Sequence, residues 1–331
     1  MVITGDNTKQ VDAFISRLAQ HFSIKDLGHL HHFLGIEVHK FGRDMFLSQH
    51  RYALELLKRA NMDESKPIST PMPTKGRLKS AAEAPFHDPS LYRSLVGGLQ
   101  YLTFTRPNLS YSVNYACQFM QSPTIAHFQL VKRILRYIQG TAHYGMRIIT
   151  SNTLDLYAFS DTDWTGYPQT RRSTSGFCTF LGSNCVSWSA KKQATVARSS
   201  MESEYRSMAA TAAELAWLSF LSRDLDIPLH KTPALHCDNL SALHLTINPI
   251  LHGRTKHVEL DYHYIRERVA LGSLETRFVT SPNQLADIFT KPLPKPLFQA
   301  FRIKLGLCPD PRPMLGNGIL DPNLDGLIYT S

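Results

Sequence analysis

Cysteine is scarce in this sequence, with 5 among 331 residues, and charged side chains make up only 19%. The cysteines (117, 178, 185, 237 and 308) are odd in number and irregularly spaced, supporting neither a disulfide framework nor a thiolate metal site. They point to reduced thiols in an intracellular compartment, cytoplasmic or nuclear. No apolar run of about 18 residues is present, so no membrane-spanning helix is expected. The opening residues Met1-Val2-Ile3-Thr4-Gly5-Asp6 lack the basic flank and apolar core of a secretory signal. Gly97-Gly98 lacks the Gly-Lys-Ser/Thr that would make a phosphate loop and permits close helix packing instead. No two aspartates are adjacent anywhere in the chain. Acids are sparse in the front half: residues 1–150 carry 18 Lys+Arg against 10 Asp+Glu (+8), and the remainder 18 against 17 (+1). A basic front beside a nearly neutral back fits a polyanion held by one part and processed by the other.

What is present describes a folded protein. Hydrophobic residues make up 43% of the chain, and the length suggests two or three domains. Val11, Phe14, Ile15, Leu18 and Phe22 recur at helical spacing, predicting an amphipathic helix over 6–21. Strands are expected over 30–41 and 45–47, with a helix over 49–60. Residues 66–89 hold Pro67, Pro71, Pro73, Pro85 and Pro89 and read as a linker. Helical blocks follow over 92–105, 109–120 and 124–140. The last sets Lys132, Arg133 and Arg136 beside Leu130, Ile134 and Leu135, a basic face suited to tracking phosphates.

From Leu154 the pattern changes. Strands are expected over 154–160, 175–181 and 184–189, the last two joined by the turn Gly182-Ser183-Asn184. A helix over 200–222, a strand over 234–237, helices over 239–247 and 255–270, a strand over 274–279 and a short helix over 283–290 complete the series. Strands first, then alternating helices and strands, imply a five-stranded mixed sheet with flanking helices, an α/β fold. In this βββαβαβα order, Asp161, Glu204, Asp238 and Asp287 stand at or near element ends. Four carboxylates converging on one place are the equipment for two hard cations, Mg²⁺ or Mn²⁺, in phosphodiester hydrolysis.

Residues 1–307 resemble the C-terminal part of a copia-type retrotransposon Pol polyprotein. The stretches that carry the resemblance include Phe33-Leu34-Gly35-Ile36-Glu37-Val38, Ser160-Asp161-Thr162-Asp163-Trp164 and Arg172-Ser173-Thr174-Ser175-Gly176. Glu202-Ser203-Glu204-Tyr205, Cys237-Asp238-Asn239, Arg254-Thr255-Lys256-His257 and Ala286-Asp287-Ile288-Phe289-Thr290-Lys291-Pro292 continue it. The resemblance implies a reverse-transcriptase palm remnant over 1–65, the linker over 66–89 and a helical thumb or connection over 90–150. It further implies a ribonuclease H-like domain over 151–307, followed by a disordered tail over 308–331. The function implied is a metal-dependent ribonuclease H that cuts the RNA strand of an RNA/DNA hybrid, with Asp161, Glu204, Asp238 and Asp287 as ligands of two ions.

In the resembled enzymes Met1-Val2-Ile3-Thr4-Gly5 follows the aspartate turn that holds the polymerase metals, so no DNA synthesis by this chain alone is expected. The missing N-terminal part of a Pol polyprotein is an expected partner, beside RNA/DNA hybrid or other nucleic acid. The rival readings are a non-catalytic, nucleic-acid-binding transposon relic and a nuclease for a different polynucleotide.

Around this set, Lys191, Lys192, Arg254 and Lys256 are candidate phosphate contacts. Ser200 and Asn239 are candidates for sensing a 2′-hydroxyl. Glu202 competes with Glu204, but Ser199-Ser200-Met201-Glu202 reads as a capping box that gives Glu202 a structural duty. Asp163 is a supporting or capping candidate. The resembled ribonucleases often carry a histidine shortly before the last aspartate, whereas Val279-Thr280-Ser281-Pro282-Asn283 holds none. His257 could serve in its place only where the fold brings it close. His29, His31 and His32 have no acidic or thiol partner at metal spacing and read as strand histidines.

Overall fold

A computed structural model describes residues 1–74, 84–150, 153–167, 169–247 and 259–312. Two five-stranded sheets organise them. The first begins after helix α1 (Thr8–His21), capped by Asn7, whose side chain accepts from the backbone of Lys9 and Gln10. Strands β1 (His32–Phe33), β2 (Ile36–Phe41) and β3 (Asp44–Ser48) follow, then helix α2 (His50–Arg59). The single strand expected over 30–41 is broken because Leu34 and Gly35 both take positive φ, a turn between β1 and β2. None of the residues of α1 is buried.

The helical module comprises α3 (Pro89–Leu102), α4 (Ser110–Cys117) and α5 (Ile125–Gln139). Tyr92, Leu95, Leu99, Val113, Ile134 and Leu135 interlock in one core there, none more than a few per cent exposed. Strand β4 (Tyr144–Ile148) leaves this module and pairs antiparallel with β3. Its residues fall outside every element expected from the sequence.

The second sheet is built from β5 (Leu156–Asp163), β6 (Thr174–Leu181), β7 (Asn184–Lys192), β8 (Ala234–Cys237) and β9 (Glu275–Phe278). Its order is β7-β6-β5-β8-β9. The first three strands are antiparallel, and β8 and β9 run parallel to β5. This is the five-stranded mixed α/β sheet that the ribonuclease H-like resemblance implies. Helices α6 (Ser200–Asp224), α7 (Leu240–Ile247) and α8 (Glu259–Ala270) cover one face. Leu156 and Ala158 of β5, Met208 and Leu215 of α6, Leu235 of β8 and Ile265 of α8 form the core there. The opposite face, with Cys178, Phe180 and Cys185, joins the core of the helical module.

Helix α9 (Lys295–Lys304) and strand β10 (Leu307–Pro309) end the described chain. Strand β10 pairs with β4 and completes the first sheet, so these last elements belong with the front of the molecule rather than with the back domain. The tail expected from residue 308 starts too early as well. Cys308 and Pro309 are ladder residues, Asp310 N–H donates to His143 O at 2.9 Å and Arg312 pairs with Asp310. Residues 313–331 lie outside the described ones.

Candidate active site

Strand β5 carries Asp161 inside its ladder, opposite Gly176 of β6, and not in a loop beyond a strand ending at residue 160. Polar staples bring α6 close to it. Ser207 Oγ donates to Asp161 O at 3.0 Å, Thr162 Oγ1 donates to Ser203 O at 3.1 Å, and Ser160 Oγ donates to Ser207 Oγ at 3.0 Å. Small hydroxyls in place of large apolar groups let a helix approach a strand this closely while satisfying buried backbone oxygens. Glu204, one turn into α6, is thereby aimed at the strand end, where it accepts from the backbone N–H of Thr162.

Asp238 follows β8 and Asp287 sits in the 3-10 turn Leu285–Phe289. Gln284, fully buried, links these elements: its Nε2 donates to Ser160 O at 2.9 Å and reaches Asp238 Oδ1 at 3.4 Å. Ser281 Oγ donates to Asp238 Oδ2 at 3.1 Å. Thr290 Oγ1 donates to Asp161 Oδ2, and Lys291 Nζ lies 2.8 Å from Asp287 Oδ1 and 3.5 Å from Asp161 Oδ2. Gln284, Thr290 and Lys291 were not singled out from sequence. Their signal was adjacency to Asp287 within Asn283-Gln284-Leu285-Ala286-Asp287 and Thr290-Lys291-Pro292.

The four acids thus meet at one end of the sheet. A carboxylate oxygen each from Glu204 and Asp238 and the thiol of Cys237 lie within 4.8 Å of one another. Burial, with the charges of Asp161 and Asp238 added, pushes the Glu204 carboxyl up to about 9. Burial and then Asp161 raise Asp287 above the ordinary carboxylate range. Burial works against the Lys291 ammonium, but Asp161 and Asp287 outweigh it and raise its pKa. Burial also raises the Cys237 thiol, keeping it protonated. Glu204 Oε2 is buried without a hydrogen-bond partner. An orphaned acceptor in a hard-oxygen donor set fits a divalent cation such as Mg²⁺.

Glu202 is turned away from this centre. It accepts from Arg198 N at 2.8 Å and pairs with Arg206 at 2.6 Å, while its own N–H donates to Ser199 Oγ at 3.1 Å. Asp163 closes the end of β5, its carbonyl accepting from Gly166 N. Lys191 and Lys192 stand opposite Ser175 and Thr174, two strands across from Thr162 and Asp163. Lys192 lies 4.4 Å from the Tyr167 ring centre. Ser200 is exposed at the start of α6, and Asn239 caps α7 by accepting from Ala242 N at 3.0 Å. Arg254, Lys256 and His257 lie outside the described residues.

The basic face expected on α5 is not free. Arg133 donates to Thr70 Oγ1 at 3.0 Å and Arg136 to Lys66 O at 2.7 Å, so both hold the Pro-rich segment against the helix. Lys132 lies 5.1 Å from the Phe128 ring centre. Periodicity identified a basic stripe but not the segment that returns to cover it.

Residues 1–74 match the model of a family described as reverse transcriptase (RNA-dependent DNA polymerase). The retrovirus-related Pol polyprotein from transposon RE1 of Arabidopsis thaliana is 45% identical over 307 residues, 93% of this chain and 21% of that protein. The chain therefore spans about a fifth of the length of the Pol polyproteins it matches. An uncharacterized mitochondrial protein of the same plant, AtMg00810, is 51% identical over 219 residues, 66% of this chain and 91% of that one. Among solved structures, the N-terminal RNase H domain of Rv2228c from Mycobacterium tuberculosis, fused to maltose binding protein, aligns with 12% identity and a TM-score of 0.32. That alignment covers 46% of this chain and 98% of the other. Among the described residues, no helix is long and apolar enough to cross a membrane.

Proposed function

Because the chain belongs to the copia-type, retrovirus-related Pol family of transposons, we propose that its acid centre is that of a ribonuclease H. In this reading it hydrolyses the RNA strand of an RNA/DNA hybrid. The observation that carries the reading is the meeting of Asp161, Glu204, Asp238 and Asp287, from four separate elements, around a buried carboxylate oxygen with no partner. Asp161, Glu204 and Asp238 would hold one Mg²⁺ or Mn²⁺, and Asp161 with Asp287 a second. Two such ions activate water and stabilise the leaving oxygen when bound.

The chain's own groups supply the rest. Thr290 and Lys291 hold the same oxygen of Asp161, Oδ2. Gln284 and Ser281 orient Asp238. Exposed Lys191, at the end of β7, would contact the phosphates of a bound duplex, and exposed Ser200, at the start of α6, would meet a 2′-hydroxyl.

The test is an assay on labelled hybrid with Mg²⁺ or Mn²⁺, beside the Asp238→Asn variant. Cleavage of the RNA strand that the substitution abolishes supports the proposal. Binding without cleavage overturns it in favour of a non-catalytic role, and cutting of duplex DNA points to a different polynucleotide substrate.

A further inference from the structure

The acid centre is divided by a cation of its own. On one side, Lys291 Nζ spans Asp287 Oδ1 at 2.8 Å and Asp161 Oδ2 at 3.5 Å, and Thr290 Oγ1 donates to that same Asp161 oxygen. On the other side, the same ammonium acts on Glu204 and Asp238 only through space, with no ion-pair contact among the described residues, and Glu204 Oε2 accepts no hydrogen bond. The ammonium is tethered from close by: Lys291 N donates to Asp287 O at 3.1 Å. Its side chain is 38% exposed, leaving water for it to swing into.

We propose that Lys291 is a positioning residue that sets how many divalent ions the centre holds. A first ion binds on the side of Glu204 and Asp238, and a second binds between Asp161 and Asp287 only by displacing the ammonium. This rests on the metal-centre reading above and concerns its loading.

The argument is one of space and charge. A Mg²⁺ ion contacts carboxylate oxygens at about 2.0–2.1 Å. An ion bridging Asp161 and Asp287 at that distance falls where Nζ now lies, so the two cannot share the place. A side chain anchored four residues from Asp287 competes at a high effective concentration, which weakens the second ion far more than the first. The open side offers the opposite balance. Glu204 is buried and Asp238 half-buried, with no cation in contact among the described residues, so the first ion relieves a cost that Glu204 already bears. Lys291 therefore orders the loading of the two positions.

The experiment is a Mn²⁺ titration of the full chain without nucleic acid, with free ion followed by electron paramagnetic resonance and heat by calorimetry. Expected for the wild type are two sites, the second weaker by about tenfold or more. In Lys291→Met the second site tightens by about tenfold while the first changes far less. Lys291→Arg, which keeps the charge, restores the weak second site, an outcome that a merely structural role would not give. Lys291→Gln gives the same reading should the methionine variant fail to fold. Equal sites in the wild type, or an unaltered second site in the neutral variants, overturns the assignment of Lys291. No ion bound by any form overturns the metal-centre reading and this inference with it.

Discussion

Gly176 stands in register with Asp161, and a methyl group placed on it would meet Cβ of Phe289 at 2.7 Å. The turn that carries Asp287 rests directly on the bare backbone of the neighbouring strand. A side chain at 176 would lift that turn away from the sheet, and with it Asp287, Thr290 and Lys291.

Gly176→Ala is therefore expected to reduce hybrid cleavage by about tenfold to a hundredfold, the penalty for misplacing one catalytic group by about 1 Å. Overpacking also costs roughly 1–3 kcal/mol of stability. Steady-state cleavage and urea denaturation of the variant check both.

Glu204→Gln replaces a buried carboxyl that the fold holds protonated up to about pH 9 but that ionises freely once the chain unfolds. Cleavage and tight Mn²⁺ binding are expected to disappear. The metal-free variant should be more stable than the wild type at pH 8, by on the order of 1–3 kcal/mol. Thermal melts in chelator would show it, and a less stable variant would contradict it.

The same carboxyl sets a pH dependence. Its folded pKa, near 9, lies above its ordinary value of 4.5. The folded state therefore holds the proton more tightly, and stability is highest below the unfolded pKa. In chelator, Tm should fall as pH rises from 4.5 towards 9, with Asp287 contributing in the same direction. Added Mg²⁺ should remove most of this slope, and its stabilising effect should grow with pH.

Glu202→Ala tests the choice between two neighbouring acids. The loss of its bonds to Arg198 and Arg206 is expected to cost about 1–2 kcal/mol at the start of α6. The first Mn²⁺ site should remain within about threefold of the wild type. Calorimetric titration decides; loss of ion binding would move the ligand role to Glu202.

Phe301→Ala probes the shared core. Phe301 of α9 is 1% exposed and packs in the same cluster as Leu95 of α3 and Phe289 beside Asp287. The substitution should cost about 3–5 kcal/mol. It should also lower cleavage, although Phe301 touches none of the acids, and melting curves beside hybrid assays at a temperature where the variant is folded check this.

Local chemistry made much of this legible in the sequence. The strands β5, β6 and β7 showed in apolar runs and in the Gly182-Ser183-Asn184 turn, and the acids fell at element ends. The capping pattern from Ser199 to Glu202 separated the two glutamates, because a helix start has a fixed hydrogen-bond requirement. What stayed hidden was non-local. Strand β10 has three residues, one of them Pro309, and acquires its identity only by pairing with β4. Arg133 and Arg136 resembled a phosphate surface because nothing in their own helix reveals the segment lying across them. Lys291 carries no local signal, since its meaning comes from Asp161, far away in the chain.

The pairing of β4 with β10 gives the molecule the plan of a closed ring. Everything between Ile148 and Leu307 leaves and re-enters the front sheet through neighbouring strands. A protease nick in the intervening region would leave both fragments clipped together at that seam.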